Sequence, residues 1–148
     1  MTPLLLFRRL AVAEAVTWAL LLTGMFLKYG TGTTDLAVRV FGMVHGVVFI
    51  GYCLVTLLVG VDQRWTRARV LLGLVSSVPP FMTVWFDRHA EKRGLLADAW
   101  RLTAAEPRSA LDRAVAWLLR NPLRGALAGL AAVAALTGVA LLVGPPAG

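Results

Sequence analysis

Of the 148 residues, 58% are hydrophobic and 16% are charged, the mean hydropathy is strongly positive and the formal net charge is +7. Soluble domains carry roughly 25% charged residues, and a water-soluble fold of this length could not hide so much apolar surface. The basic residues flank the apolar stretches, where positive charge fixes topology and meets anionic lipid, so the implied partner is the lipid bilayer and not a nucleic acid.

Four stretches are long and apolar enough to cross a bilayer core of about 30 Å: Leu10 to Tyr29, Leu36 to Gly60, Val70 to Phe86 and Gly125 to Val143. Strand-like alternation is lacking, which argues against a barrel. The first stretch follows Arg8-Arg9 but runs past a signal-peptide core and meets no small-residue cleavage site, so a retained helix is expected. Along it Glu14, Thr17, Leu21, Gly24 and Lys28 share one face. On the second, Val38, Gly42, His45, Phe49, Tyr52 and Thr56 do the same. Its Gly42 and Gly46 form a GxxxG that lets another helix approach, a motif common by chance. Cys53 reads as a small packing residue, with no disulfide framework or metal-type spacing around it.

The third stretch is the shortest and repeats the stripe with Gly73, Ser76, Pro80, Thr83 and Asp87. Pro79 and Pro80 remove two backbone donors and leave the carbonyls of Val75 and Ser76 in need of partners. The segment from Asp87 to Arg124 is polar and mixed in charge. In it Ala110, Leu111, Ala114, Val115, Leu118 and Leu119 recur at helical spacing, as either an interfacial helix or a connector packed on the bundle ends. Pro107 and Ser109 would start that helix and Asn121-Pro122 would end it. The fourth stretch has Thr137 as its one polar side chain and a Gly125/Gly129 small-residue pair, and reads as a plain packing helix. The tail from Gly144 to Gly148 has nothing to fold around and is expected to be disordered.

The fold expected is all-α: a polytopic transmembrane bundle with a three-helix core over 1–93, a polar loop with an amphipathic helix over 94–124, and a further transmembrane helix and tail over 125–148. Multi-pass residence in the cell (plasma) membrane follows. The basic residues of the first loop (Lys28, Arg39) and of the long polar segment outnumber those at the N-terminus (Arg8, Arg9) and in the second loop (Arg64, Arg67, Arg69). With four crossings this favours both termini outside.

An ionisable group at a helix centre costs roughly 2.5 to 3.5 kcal/mol, so the three stripes should face one another in a polar seam. Depth counted along the helices sets Glu14 level with Thr56, Tyr52 and Ser76, and makes Lys28 with Asp87 the expected ion pair. His45 falls roughly 10 Å from Glu14 by the helical rise, too far for a direct hydrogen bond, and is set to donate to the carbonyl of Val75 or Ser76. The leading reading of the seam is structural glue, in a non-enzymatic accessory or assembly protein that meets its own copies or other membrane proteins. The alternative is an oligomeric proton, ion or small-solute route through Glu14, His45 and Lys28. No nucleophile shares a depth with a base, so no catalytic residue is assigned. His45 and His89 are a thin basis for haem, and neither a cofactor nor a metal site is expected.

The runs FRRLAVAEAVTWALLL, MFLKYG, RVFGMVHGVVFIGY and SSVPPFMTVWFDR together resemble the small bacterial integral-membrane family known as the domain of unknown function numbered 3817. The resemblance covers about Leu4 to Arg93 and rests on Glu14, Lys28, Gly42, His45, Gly46, Pro80 and Phe81. It implies a three-helix membrane protein in the plasma membrane, names no activity, and leaves Gly94 to Gly148 as an extension.

Overall fold

The computed structural model describes residues 1–144 and is helical throughout, with no strand among the described residues. Residues 145–148, most of the tail expected to be disordered, lie outside the described residues. Helix α1 spans Pro3–Met25 and continues as a π-helical turn over Phe26–Gly30. It starts at Pro3, before Leu10, because Thr2 accepts a hydrogen bond from the Leu5 amide at 3.1 Å and Pro3 is preset for the first helical position. Helix α2, Leu36–Asp62, runs back antiparallel to α1. The two close tightly where Gly24 meets the chain at Ala37 and Val38: a Cβ on Gly24 would stand 2.9 Å from the Val38 nitrogen. Of the expected stripes, Glu14, Thr17 and Gly24 on α1 and His45, Tyr52 and Thr56 on α2 are buried, joined by Phe7, Ala11, Val59 and Gly60, whereas Lys28 is exposed and Leu21, Val38, Gly42 and Phe49 are half-buried.

The third stretch differs from expectation. It forms two short helices, α3 (Arg67–Val75) and α4 (Met82–Lys92), and the chain reverses between them. Helix α3 packs along α2, with Gly60 against Val70 and Gly73 against Thr56. Helix α4 packs antiparallel to α1, Thr83 beside Ala11 and Glu14 and Asp87 beside Arg8. The two ends of the hairpin therefore meet at the same end of the bundle. There Trp65 Nε1 donates to the Leu95 carbonyl at 2.8 Å, and Phe7, Trp65 and Phe86 stack with centroids 5.6 to 5.8 Å apart. The nine residues of α3 rise only about 13 Å, less than half a bilayer core.

The prolines explain the reversal. With no N–H at positions 79 and 80 the helix cannot continue, and its last carbonyls must be served locally. Ser76 and Ser77 hydroxyls donate to Gly73 and Leu74 at 2.6 Å, the Val78 amide to Val75 at 3.0 Å, and Trp18 Nε1 from α1 to Ser77 at 3.3 Å. The turn closes at Phe81, held left-handed at φ 67°.

Three helices are long and apolar enough to cross a membrane: Pro3–Gly30, Leu36–Asp62 and α6, Pro122–Val143. Between α4 and α6 the chain stays at the end of the bundle where α1 begins. Asp62, wholly buried, accepts the amides of Arg101 and Leu102 at 3.0 and 2.8 Å, and the Arg101 side chain returns to the Asp62 and Val61 carbonyls. Helix α5, Ala110–Arg120, lays Val115 and Ala116 with Leu102 over Leu58 and Val61 and so packs on the bundle end, with Leu111 and Trp117 turned outward. Helix α6 is peripheral, with no buried residue along its length.

The reversal also overturns the charge count behind the expected orientation. Of the fifteen Lys and Arg residues, only Lys28 and Arg39 flank the 31–35 turn. All the others belong to the end holding the N-terminus, the 63–66 turn and the 93–121 segment. The termini of the described chain therefore lie at opposite ends.

Single cysteines placed in a Cys53→Ser background at Thr33, Arg67, Asp98 and Val143 test this arrangement with an impermeant thiol reagent. Positions 67 and 98 should label from one face of intact vesicles, and 33 and 143 from the other. Labelling of 67 and 98 from opposite faces would mean that α3 and α4 cross.

Candidate functional site

Of the polar groups expected to meet, all but Lys28 are drawn to the interior, but in a different pairing. Nearest the N-terminal end, Arg8 Nε binds Asp87 Oδ2 at 3.0 Å and its Nη2 also reaches Glu91. The expected pair of Lys28 with Asp87 does not form. Because α4 runs back, Asp87 returns to the N-terminal end, while Lys28 lies exposed at the other end over the Tyr29 ring.

One level deeper, Tyr52 OH lies 3.0 Å from both the Gly73 carbonyl and Ser76 Oγ, and Thr56 Oγ1 donates to the Tyr52 carbonyl at 2.8 Å. These four residues tie α2 to α3 and are complete without Glu14. Pro80 lies exposed on the hairpin turn and lines no seam.

Glu14, fully buried, meets α4 and α2 instead of the tyrosine level. Its Oε2 lies 3.2 Å from Thr83 Oγ1, whose closer acceptor is the Ala11 carbonyl at 2.9 Å. Its Oε1 is 4.0 Å from His45 Nε2 and has no hydrogen-bond partner among the described residues. A depth count begun at Leu10 sets Glu14 and His45 far apart; with α1 starting at Pro3 both fall well inside the bundle. His45 serves no carbonyl of α3, since the hairpin's own hydroxyls, amide and Trp18 do that.

Its partner is Thr17 Oγ1, 2.9 Å from Nδ1 and 2.9 Å from the Glu14 carbonyl. The single Thr17 hydrogen has these two acceptors: with it on the Glu14 carbonyl, Nδ1–H donates to Thr17, and with it on Nδ1, Nε2–H points toward Glu14. In the first of these neutral forms Nε2 carries a lone pair and faces Glu14. Trp18 packs over the imidazole with centroids 4.6 Å apart. With His45 in that first form, an ionised Glu14 would oppose two acceptors with no hydrogen between them, in a buried setting where such an arrangement is costly.

The glycines singled out from the sequence do not make close helix crossings. A Cβ on Gly42 would meet only Leu21 at 3.7 Å, and on Gly46 or Gly129 nothing within 4 Å. Gly125 is tight, against the Leu118 carbonyl at the α5–α6 turn. The close approaches belong to Gly24, Gly60 and Gly73. Gly42 and Gly46 line a gap of about 270 Å³ between α2 and α6, with Met43, Ile50, Thr137 and Ala140. Sequence reasoning passed over Arg8 and Trp18 as site residues, though an arginine pair inside a helix start and a tryptophan beside Thr17 were signals. No cluster of three metal-ligating side chains occurs among the described residues.

The profile of the domain of unknown function DUF3817 matches residues 4–92, from the first turn of α1 to the last residue of α4. A Streptomyces coelicolor protein named as a membrane protein, SCO5905, is 46% identical over 91 residues, covering 61% of this chain and 11% of its own length. The Bacillus subtilis protein YdzA, named an uncharacterized membrane protein, is 33% identical over 88 residues, covering 59% of this chain and 91% of its own. No solved structure matches the chain significantly.

The hydrogen bonds separate structural from other residues. Tyr52→Phe removes a bond between α2 and α3 and should lower thermal stability in detergent, by about 0.6 to 1 kcal/mol. Glu14→Leu leaves Thr83 on Ala11 and His45 on Thr17, so its melting temperature should equal or exceed that of the wild type. A loss at Glu14→Leu as large as at Tyr52→Phe would make Glu14 part of the glue.

Proposed function

The chain belongs to the DUF3817 family, and we propose that its member here binds and releases a proton inside the membrane at the Glu14–His45 pair. The observation that carries this is a fully buried carboxylate oxygen, Oε1 of Glu14, with no hydrogen-bond partner among the described residues and 4.0 Å from His45 Nε2. A proton resolves it in any of three ways, on the carboxyl, on the imidazole, or on a water held between them. A metal cation suits the pair poorly: hard cations take six or more oxygen ligands, and both neighbouring hydroxyls are committed to helix carbonyls.

The tyrosine level keeps the structural role, so the seam divides into glue and site. A carboxylate buried at a desolvation cost yet holding no helix in place is the kind of group kept for function at the expense of stability. The reaction class is proton binding or transfer, with no covalent chemistry. Residence is the plasma membrane, and the basic end, holding the N-terminus and the 93–121 segment, faces the cytoplasm. A second reading, an accessory protein that grips another membrane helix, is favoured by the gap beside Gly42 and Gly46 and predicts that Gly46→Leu disrupts a cross-linked partner.

Infrared difference spectra of the reconstituted protein between acid and alkaline buffers test the proposal. The wild type should show a protonated-carboxyl band that vanishes in Glu14→Gln and shifts in His45→Gln. The same band persisting in Glu14→Gln would remove Glu14 from the proton site.

A further inference from the structure

We propose that Glu14 exchanges its proton with one face only, through a gate between α1 and α4 formed by Arg8, Asp87 and Glu91. This rests on the reading of Glu14 as a proton site. The route is written in the spacing of two antiparallel helices. Arg8, Ala11 and Glu14 follow one another along α1, and Glu91, Asp87 and Thr83 along the facing side of α4, each one turn apart. Between them opens a cavity of about 280 Å³ lined by Arg8, Val12, Val84, Asp87, Arg88 and Glu91, room for several waters. Asp87 is 2% exposed, and its Oδ1 has no partner among the described residues although Oδ2 is held by Arg8.

A proton taken up at Asp87 passes to the Thr83 hydroxyl, one turn deeper on α4. The Thr83 hydrogen, on the Ala11 carbonyl at rest, turns to Glu14 Oε2 as the oxygen accepts the incoming proton, so one proton enters the chain of groups and one arrives. Arg8 holds Asp87 and Glu91 together across the opening and acts as the latch.

Two other ways in are closed. Along the bundle axis at the same end, Phe7, Tyr52, Trp65 and Phe86 form a dry aromatic layer, with centroids 5.5 to 5.8 Å apart. Toward the opposite end, α1 and α2 close at Gly24, with backbone atoms of Ala37 and Val38 only 2.9 to 3.0 Å from where a Cβ would stand. The groups facing Glu14 are few: His45, Tyr52 and Cys53 from α2, Thr83 from α4, and Trp18 on α1 itself, with the Arg8–Asp87 pair one turn beyond Thr83.

Dicyclohexylcarbodiimide, which attacks protonated buried carboxyls, reads this access in proteoliposomes of known orientation with only one bath acidified. Modification at Glu14, located by peptide mass and blanked with Glu14→Gln, should rise when the bath facing the 63–66 and 93–121 segments is acidified and stay flat when the other is. Asp87→Asn, which preserves shape, and Val84→Phe, which fills the cavity without touching the ion pair, should each cut the sided rate several-fold. Equal modification from both baths would overturn the one-sided route while leaving Glu14 a proton site. Unchanged rates in both variants would overturn the gate. No modification of Glu14 from either bath would overturn the proton-site reading itself.

Discussion

Two adjacent prolines at the end of a short helix set the terms for everything else in this protein. Without amide hydrogens at positions 79 and 80 a helix continuing through an apolar medium would leave the carbonyls of Val75 and Ser76 without their usual partners, where unserved carbonyls are penalised by several kcal/mol. It can turn only because Ser76, Ser77 and Trp18 bring donors to that depth. The return of α4 along α1 then decides which charges meet. Thr83 arrives at Glu14, Asp87 at Arg8, and the second half of the stripe runs outward where a straight helix would have carried it onward.

That reversal marks the limit of what the residues alone disclose. The stripes were legible, because intramembrane polar groups must turn inward: Glu14, His45, Tyr52, Thr56, Ser76, Thr83 and Asp87 are all buried. The pairings among them were not, because depth is a running count along alternating directions, and one segment that turns back flips the sign for everything after it. Hence Asp87, expected with Lys28, lies with Arg8. The start of α1 was hidden for a related reason. Arg8 and Arg9 depress any hydropathy window, yet Thr2 and Pro3 carry the capping chemistry that starts the helix before them.

The tautomer of His45 depends on a residue that looks incidental. Thr17 has one hydrogen and two acceptors at 2.9 Å, the Glu14 carbonyl of its own helix and His45 Nδ1, and whichever takes it sets which imidazole nitrogen carries a hydrogen. A hydroxyl on one helix thereby governs whether a histidine on another presents a lone pair or an N–H to a carboxylate one turn away. Helix position, side-chain chemistry and site electrostatics are in this way a single arrangement.

The hairpin also leaves the matched region, residues 4–92, with two helices long and apolar enough to cross a membrane, an even number. A unit that begins and finishes at the same membrane face is parity-neutral: any segment joined after α4 emerges where it would have been had the unit never been inserted. Such a cassette can be carried by chains of very different length without inverting their downstream segments. Its occurrence as nearly the whole of one relative and as 11% of another is the distribution such neutrality permits.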